Sequence, residues 1–329
     1  MPSDIPSVLV TGGAGYIGAH ACKALRGAGF LPVVFDNLST GHAAAVKFGP
    51  LVEGDLRDRA SIDAAFAAHR PVAVLHFAAL SLVGEAISDP ARYWRENVLG
   101  ALNLIEATVA AGVRSFVFSS TCATYGDHDG IVLDEDTPQR PINAYGGSKL
   151  AIEQMLADFA EISDLRHTIF RYFNVAGADP EAEVGEAHEP ETHLVPLMLE
   201  AIEGKRAALT LHGTDYDTPD GTPIRDYVHV SDLADAHVAG LRRLLDGGES
   251  RVYCLGTGTG FSVREVVAAA RAVTNRDVPI EEGPRRAGDA VRLVCGSTRA
   301  KTELGWEPKR SDMATMLRDA HRWHAGGGF

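Results

Sequence analysis

A tyrosine and a lysine four residues apart are the first candidates for chemistry in this chain. Tyr145 and Lys149 stand in the stretch 143–149, which reads Asn-Ala-Tyr-Gly-Gly-Ser-Lys. Four residues make about one helical turn, so both side chains lie on one helix face. A lysine cation beside a phenol favours the phenolate and lowers the tyrosine pKa from its usual value of about 10. The pair therefore predicts a base for a hydroxyl proton near neutral pH, provided that the chain also binds a hydride acceptor.

A glycine-rich turn near the N-terminus predicts the site for such an acceptor. Gly12, Gly15 and Gly18 follow an apolar strand, Ser7 to Thr11, and open a helix that runs from Ile17 to about Ala28. Glycine permits the tight turn and lets the backbone approach a pyrophosphate, which the free amides of the helix N-terminus then bind. The order strand, turn and helix predicts a dinucleotide site.

An acidic residue indicates which dinucleotide binds. Asp36 ends a second predicted strand, Pro32 to Phe35. A carboxylate there accepts hydrogen bonds from an adenosine ribose and repels a 2′-phosphate, so the sequence favours NAD over NADP.

Alternating strand and helix patterns predict an α/β fold, a Rossmann-like doubly wound parallel sheet. Ligands of such sheets bind beyond the carboxyl ends of the strands. The further predicted strands are 51–55, 72–77, 115–119, 167–173 and 251–255, and the further predicted helices are 61–69, 91–111, 143–162, 230–245 and 263–273.

Periodicity weakens after Asn174, which predicts a smaller, discontinuous C-terminal substrate lobe. We expect residues 1–176 and about 226–257 to form the NAD-binding domain. Residues from about 177 to 225 and from 258 to 329 are then assigned to the lobe.

Composition narrows the class of partner. The chain has 329 residues and a formal net charge of −13, so it offers no basic footprint for nucleic acid or an anionic membrane. No apolar run approaches the length of a membrane helix. Four scattered cysteines without paired metal spacing are typical of reduced thiols, and we expect a cytoplasmic location.

Nearly the whole chain resembles the extended short-chain dehydrogenase/reductase family, and within it the UDP-hexose 4-epimerases. The matching segments are 11–18, 36–38, 53–56, 76–79, 119–126, 145–149, 171–174, 220–230 and 285–289. The second-half segments are more specific to epimerases than the first-half ones. The resemblance implies NAD-dependent epimerisation at the sugar 4-position of UDP-glucose or UDP-galactose, through a transient 4-keto sugar.

The resemblance also implies roles for individual residues. Tyr145 is the implied base, Lys149 its partner and Thr121, four residues before Tyr125, the hydroxyl donor beside it. Implied cofactor positions are Gly12, Gly15, Tyr16, Ile17, Gly18, Asp36, Asn37, Asp55, Leu56, Phe77, Ala78, Ala79, Asn97, Lys149 and Phe173. Implied substrate positions are Thr121, Tyr145, Asn174, His193, Leu194, Arg225, Tyr227, Arg286, Asp289 and Leu293. Asn97 can equally brace its own helix.

Three alternatives to a UDP-glucose epimerase stay open at this point. Related 4,6-dehydratases carry Asp and Glu where this chain has Cys122 and Ala123, which argues against dehydration. Leu293 stands where some epimerases have a tyrosine that excludes N-acetylated sugars, so an epimerase for UDP-N-acetylhexosamines or UDP-pentoses is the runner-up. The third alternative is a catalytically silent dinucleotide-binding regulator.

The sequence also bears on metal binding and on assembly. Glu186, His188, Glu189, Glu191 and His193 lack the His-Glu-x-x-His spacing, and Pro190 interrupts any helix, so we expect no metal site. The family resemblance implies a homodimer, built here on the helices at 91–111 and 145–162.

Overall fold

The computed structural model describes residues 5–128, 130–286 and 289–329. Its strands are β1 (Ser7–Thr11), β2 (Leu31–Asp36), β3 (Leu51–Glu53), β4 (Ala73–His76), β5 (Ser115–Ser119), β6 (Val132–Leu133), β7 (Arg166–Tyr172), β8 (Asn174–Ala176), β9 (Leu209–His212), β10 (Ile224–Arg225), β11 (Tyr227–His229), β12 (Arg251–Leu255), β13 (Phe261–Ser262), β14 (Ile280–Gly283) and β15 (Arg292–Cys295). Its helices are α1 (Tyr16–Gly27), α2 (Arg59–His69), α3 (Val83–Ser88), α4 (Pro90–Tyr93), α5 (Gly100–Ala110), α6 (Ala144–Ile162), α7 (Leu194–Ile202), α8 (Val230–Leu245), α9 (Val263–Thr274), α10 (Thr298–Leu304) and α11 (Met313–Ala325).

A seven-stranded parallel sheet, in the order β12-β7-β5-β4-β1-β2-β3, forms the centre of the fold. The predicted α/β class with a doubly wound parallel sheet is therefore confirmed. Alternate residues of each strand face opposite sides. Val8 and Val10 of β1 pack into one buried cluster with α1 and α8, and Leu9 packs into another with α2, α5 and α6. Both sheet faces are covered, which is why the strands are continuous apolar runs.

The strand order reverses between β1 and β4, and ligands of doubly wound sheets bind at such a switch point. The loop after β4 folds back over the end of β1. The backbone amides of Phe77 and Ala78 both donate to the carbonyl oxygen of Thr11, at 2.9 and 3.1 Å. This contact brings the glycine-rich turn against residues that follow β4.

The helix predicted over 91–111 is interrupted by a π-helical turn at Trp94–Leu99, between α4 and α5. The wide turn buries Asn97, whose side chain is hydrogen-bonded to the backbone of Leu80 and to the Ser148 hydroxyl. Short π segments frequently occur at functional sites. Through Asn97 this one is connected both to the loop after β4 and to α6.

A four-stranded sheet, β13-β10-β15-β6, lies outside the central one, together with the pairs β11-β8 and β14-β9. α7, α9 and α11 share a separate buried cluster with β9. β6 comes from residues 132–133, far earlier in the chain than its neighbour β15. The domain boundaries given above stay a prediction. Among the described residues, no helix combines the length and apolarity needed to cross a bilayer.

Candidate active site

The structure brings Tyr145 and Thr121 together at the carboxyl edge of the sheet. Asn143 caps α6 by accepting a hydrogen bond from the Gly146 amide at 2.9 Å, which places Tyr145 in the first turn. Thr121 lies just beyond β5, caps the short 3-10 turn Cys122–Thr124, and has its hydroxyl close enough to the Tyr145 phenol to lower the pKa of that phenol. The sequence predicted this pair of hydroxyls.

The predicted depression of the tyrosine pKa is wrong for the protein without its cofactor. Burial raises the pKa of Tyr145, and the neighbouring Thr121 hydroxyl acts in the opposite direction without cancelling that effect. Burial likewise lowers the pKa of Lys149 to about 7, although the nearby Glu153 carboxylate favours its charged form. A sequence pattern cannot reveal this, because the low-dielectric surroundings come from strands that are distant along the chain.

Lys149 is buried and fixed in position. Its Nζ donates to the carbonyl oxygen of Ser119 at 2.8 Å and lies 4.9 Å from the centre of the Phe118 ring. The Ser119 hydroxyl is itself hydrogen-bonded to the hydroxyl of Tyr172, whose pKa burial raises. The lysine is therefore anchored to the end of β5, two residues before Thr121.

Sequence reasoning missed a buried ion pair behind this site. Glu153 and Arg171 are both nearly inaccessible, and Nη2 of the arginine lies 2.5 Å from Oε2 of the glutamate. Arg171 also donates to the Tyr125 hydroxyl at 2.8 Å. Glu153 is four residues beyond Lys149 on the same face of α6, so continuing the helical spacing by one turn was the available signal.

The glycine-rich turn fits a dinucleotide pyrophosphate. A Cβ on Gly12, whose φ is +73°, would lie 2.5 Å from the Ala78 nitrogen, and one on Gly18 would lie 2.1 Å from the Gly12 carbonyl oxygen. A Cβ on Gly15 would meet only that oxygen, at 3.4 Å. Gly12 and Gly18 thus serve packing, whereas Gly15 faces open space. Gly15 is also the N-cap of α1 without a side-chain cap, which leaves helix amides for an anion.

The neighbours of this turn in the sequence take different positions. Tyr16 is buried and donates from its hydroxyl to the carbonyl oxygen of Gly177 at 2.6 Å, whereas Ile17 packs into the core cluster under α1. Asp36 accepts from the backbone amides of Ala14 and Leu38, at 3.0 and 2.9 Å. Both carboxylate oxygens of Asp36 are thereby fixed beside the glycine turn.

A second acid at the same edge is held by an arginine that sequence reasoning did not single out. Asp55 pairs with Arg57 at 2.7 Å, which holds the pKa of Asp55 well below its usual range. Asn37 donates to the same carboxylate at 3.2 Å. The carbonyl oxygen of Leu56 accepts from Asn103 at 2.9 Å. A ribose or adenine contact from Asp55 would compete with this ion pair.

The loop after β4 carries Phe77, Ala78 and Ala79, all partly exposed at the switch point. The Phe77 ring lies 4.8 Å from the ring of His237. Of the two readings of Asn97, the structure favours bracing, because its amide is engaged by Leu80 and Ser148.

The predicted substrate residues gather on the outer strands. Arg225 in β10 is opposite Leu293 in β15, and Asn174 in β8 is opposite Tyr227 in β11. The Asp289 carboxylate lies 3.6 Å from Nη2 of Arg225 and 3.0 Å from Nε of Arg286. Two guanidinium groups on one carboxylate form a polar cluster suited to a diphosphate. Burial raises the pKa of Tyr227 to about 12.

Ala287 and Gly288 of the matching segment 285–289 lie outside the described residues.

His193 and Leu194 begin α7. His193 is the N-cap residue, and its side chain makes no cap hydrogen bond. Its Nδ1 is instead hydrogen-bonded to the buried Glu186 carboxylate. Pro196 has no amide hydrogen, so in the first turn of α7 the amides of Leu194 and Val195 remain for an anion, whereas the imidazole is directed to a neighbouring acidic loop.

The cysteines are scattered in sequence, but three of them converge. Cys122, Cys254 and Cys295 are fully buried and pack with Tyr125 and Phe173. Burial raises the pKa of the Cys122 thiol, so this residue cannot supply the carboxylic acid of a dehydratase. All four cysteines are free in the described chain, and the cytoplasmic location stays a prediction.

A cavity of about 880 Å³ lies at the opposite end of the sheet, where its lining includes Val72, Ser115 and Arg166 at or beside the starts of strands. None of the candidate chemistry is there.

Comparison with known proteins agrees with this geometry. Residues 8–256 match the model of the NAD dependent epimerase/dehydratase family. The UDP-glucose 4-epimerase of Rhizobium leguminosarum bv. trifolii is 51% identical over 319 residues, which cover 97% of both chains. The crystal structure of the Brucella ovis UDP-glucose 4-epimerase in complex with NAD superposes with a TM-score of 0.94 at 46% identity, covering 97% of this chain and 98% of that one. The Bifidobacterium longum enzyme in complex with NAD+ and UDP gives a TM-score of 0.92 at 33% identity, covering 98% and 100%. The chain therefore belongs to the NAD dependent epimerase/dehydratase family, and within it to the UDP-glucose 4-epimerases.

Proposed function

We propose that this protein interconverts UDP-glucose and UDP-galactose by NAD-dependent epimerisation at the sugar 4-position. The observation that carries the proposal is the Thr121–Tyr145 hydroxyl pair, which lies at the same edge of the parallel sheet as the open glycine turn. This arrangement combines a proton acceptor with a dinucleotide site.

Tyr145 acts as the base in this proposal. The phenolate takes the proton of the sugar 4-hydroxyl, and the phenol returns it after the sugar has presented its other face. Thr121, whose hydroxyl lies beside the Tyr145 phenol, would donate a hydrogen bond to the phenolate or to the sugar 4-oxygen, and so stabilise whichever of them carries negative charge. The amino group of Lys149, which is titratable, is held next to this site by its hydrogen bond to the Ser119 carbonyl oxygen.

NAD, when bound, supplies the acceptor and later the donor of the C4 hydride, and its oxidised ring adds a positive charge that favours the Tyr145 phenolate. The residues that would hold it are those of the glycine turn, with Asp36 near the adenosine ribose. Asp36 is suited to this position because its carboxylate is already oriented by two backbone amides. The same negative charge disfavours a 2′-phosphate.

The nucleotide of the substrate is held by the second polar cluster. Arg225, Arg286 and the first turn of α7 would bind the diphosphate, and Asp289 the ribose of the nucleoside. The Bifidobacterium longum neighbour contains UDP beside NAD+, which supports a UDP handle for this chain. Epimerisation requires the hexose to turn over within the site. This is possible when the nucleotide is bound firmly and the hexose is bound only loosely.

Dehydration finds no acid–base pair beside Tyr145 in the part of the chain that the structure describes. Cys122 is buried in a thiol cluster, and Ala123 has no ionisable group. Glu153 is the acid behind the site, but Arg171 and Ser120 occupy its carboxylate. An epimerase that also accepts N-acetylated hexoses is the second candidate, and the specific observation for it is Leu293 opposite Arg225.

The test is incubation of the purified protein with UDP-galactose and no added reductant, followed by chromatographic measurement of UDP-glucose. We expect equilibration by the wild type and a loss of at least 100-fold in kcat for Tyr145→Phe. Tyr253→Phe is the matched control, since that hydroxyl bonds to Glu303 at the far side of β12. Absence of product from the wild type, or full activity of Tyr145→Phe across a UDP-sugar panel, contradicts the proposal and favours a silent regulator.

We also propose that the protein forms a homodimer through the helical face made by α6 and by the π turn between α4 and α5. Trp94, Leu99 and Ile162 expose 45%, 44% and 81% of their surface there. These three side chains would supply the apolar surface of the proposed interface. Burial of this face against a second copy would place four helices in one bundle.

A further inference from the structure

Four side chains in the loop between β8 and α7 converge in space. We define the Glu/His cluster as Glu186, His188, Glu191 and His193. One nitrogen or carboxylate oxygen from each lies within 4.8 Å of all the others. The spacing of these residues does not predict a helical metal site, and the segment is a loop in the structure, but this loop brings the four groups together.

The ligand atoms are separated as they would be around a small metal ion. His188 Nδ1 lies 3.1 Å from Glu186 Oε1 and 3.9 Å from Glu191 Oε1, and His193 Nδ1 lies 3.9 Å from Glu191 Oε1. Ligands at about 2.0–2.1 Å from a tetrahedral zinc ion are roughly 3.3 Å apart. Around such an ion the contact between His193 and Glu186 would have to open, and the two 3.9 Å contacts to Glu191 would have to close slightly.

The two carboxylates are buried, and among the described residues only the imidazoles of His188 and His193 lie within ion-pair distance of them. The side chains of Glu186 and Glu191 are 4% and 7% exposed, and within the described ranges neither forms an ion pair with a lysine or arginine. Burying such charges costs several kcal/mol unless they are paired or coordinate a metal. A neighbouring acidic group, Asp179, Glu181 and Glu183, is instead satisfied by Lys23.

The cluster is held from outside, as ligand sets usually are. Glu191 Oε1 accepts from the backbone amides of Thr192 and His193, at 2.6 and 2.8 Å. The Glu186 carbonyl oxygen accepts from Trp323 Nε1 of α11 at 2.8 Å. The Tyr16 ring, next to the glycine turn, meets the His188 ring edge-on at 6.4 Å.

Two imidazole nitrogens and two carboxylate oxygens are a ligand set for a borderline cation. Mg²⁺ and Ca²⁺ prefer oxygen ligands throughout, and Cu(I) prefers thiolates and thioethers. Zn²⁺ takes nitrogen and oxygen ligands in a closed four-coordinate site when its role is structural.

We propose that Glu186, His188, Glu191 and His193 bind one divalent transition-metal ion of the zinc type, which fixes the loop leading into α7. The ion would join the cofactor side of the fold, through Tyr16, to the substrate side, through His193 and Leu194. Any substrate contact from the His193 imidazole would then come from Nε2. The competing arrangement is a pair of metal-free Glu–His ion pairs.

The test uses the full-length protein, stripped with a chelator, dialysed and titrated with ZnCl₂ in a calorimeter, with Co²⁺ absorption as a second readout. We expect one equivalent of zinc, and the visible bands of four-coordinate cobalt. Glu191→Gln and His188→Gln should weaken binding at least 10-fold. Glu181→Gln, an exposed acid of the same segment, is the control and should bind as the wild type does.

Two results would overturn the proposal. One is zinc binding by the wild type that is weaker than stoichiometric at micromolar protein, with no four-coordinate cobalt spectrum. The other is unchanged zinc affinity in both cluster variants, verified as folded by circular dichroism. Because wild-type binding is measured first, a variant that fails to fold does not decide the outcome. Neither readout depends on epimerase activity, so the two proposals fail separately.

Discussion

Lys149 donates a hydrogen bond from Nζ to the carbonyl oxygen of Ser119 over 2.8 Å, which ties the second turn of α6 to the last residue of β5. The lysine is 3% exposed, and its surroundings include the Phe118 ring. One carbonyl oxygen does not replace the lost hydration of an ammonium group, so burial lowers the pKa of Lys149 to about 7.

The pH dependence of stability should report this lysine. The unfolded chain has a lysine pKa of about 10.4, so between pH 7 and 10.4 it binds more protons than the folded chain, and the free energy of unfolding rises with pH. The cost of burying the charge is complete below pH 7. The free energy of unfolding of Lys149→Met, minus that of the wild type, should depend on pH. We expect this difference to be about 4 kcal/mol more favourable to the variant at pH 6.5 than at pH 10. Urea denaturation of NAD-free protein measures it, with the exposed Lys309→Met as control; a difference that does not vary with pH contradicts the prediction.

The buried Glu153–Arg171 pair should be a major contributor to stability. Glu153→Gln keeps the side-chain volume but leaves the Arg171 charge buried without a counter-charge. We expect a loss of about 3–5 kcal/mol in the free energy of unfolding, measured by urea denaturation. Glu161→Gln, exposed on the same helix, should change it by less than about 0.5 kcal/mol. A loss below about 1 kcal/mol for Glu153→Gln would show that the pair is not structurally important.

Two glycines of the same turn should respond differently to alanine. A methyl group on Gly18 meets the Gly12 carbonyl oxygen at 2.1 Å, so Gly18→Ala should unfold at a clearly lower temperature. Gly15 has a φ of −86° and open space around its Cβ position, so Gly15→Ala should keep the wild-type melting temperature. Because that methyl would occupy the proposed path of the pyrophosphate, the Gly15 variant should nevertheless carry at least 10-fold less NAD per chain. Equal NAD content in Gly15→Ala and wild type would mean that the pyrophosphate does not pass over this turn.

Leu293 should control the size of the sugar that is accepted. It is partly exposed in β15, opposite the predicted UDP contact Arg225. We expect Leu293→Tyr to lower kcat/KM for UDP-N-acetylglucosamine relative to UDP-glucose by about 10-fold or more, because a larger ring fills the space of the N-acetyl group. Leu293→Met, of similar volume, is the control. An unchanged ratio in the tyrosine variant would exclude Leu293 as a determinant.

The proposed dimer should dissociate when a charge is placed in its helical face. Trp94→Glu puts a carboxylate among exposed apolar side chains of the π turn and α6, and burial of that charge in an interface is costly. Sedimentation velocity at micromolar concentration should show a dimer for wild type and a monomer for this variant. Ile131→Glu, at an equally exposed apolar residue away from these helices, should remain dimeric. A wild-type monomer ends the proposal.

Much of the fold was accessible from periodicity alone. The predicted strands at 115–119 and 251–255, and the helix at 230–245, have the bounds that the structure gives, because each combines a clear apolar pattern with polar ends. The helix at 91–111 was only partly correct. A π turn that buries one asparagine depends on contacts with Leu80 and Ser148, which no local pattern contains.

In the site, too, features with a local sequence pattern could be predicted, and features that depend on distant contacts could not. The sequence predicted Tyr145, Lys149, Thr121 and the glycine turn, because their spacing is tied to a helix, a strand end and a tight turn. It gave the wrong direction for the Tyr145 pKa, since burial is a property of the whole fold. It also missed the convergence of Cys122 with two cysteines from the distant strands β12 and β15, and that of the Glu/His cluster within an irregular loop, because neither follows from local spacing.

The placement of β6 limits how such enzymes can be recombined. β6 lies in the chain between Thr121 and Tyr145, yet it pairs with β15, where Val132 is opposite Val294 and the Gly296 amide donates to the Leu133 carbonyl oxygen at 2.9 Å. A chimaera that exchanges only the C-terminal half would therefore separate this strand from the partner with which it evolved. Grafting a new sugar preference onto this scaffold requires residues 127–143 to travel with the donor's C-terminal segments, so that the transplanted sheet brings its own edge strand.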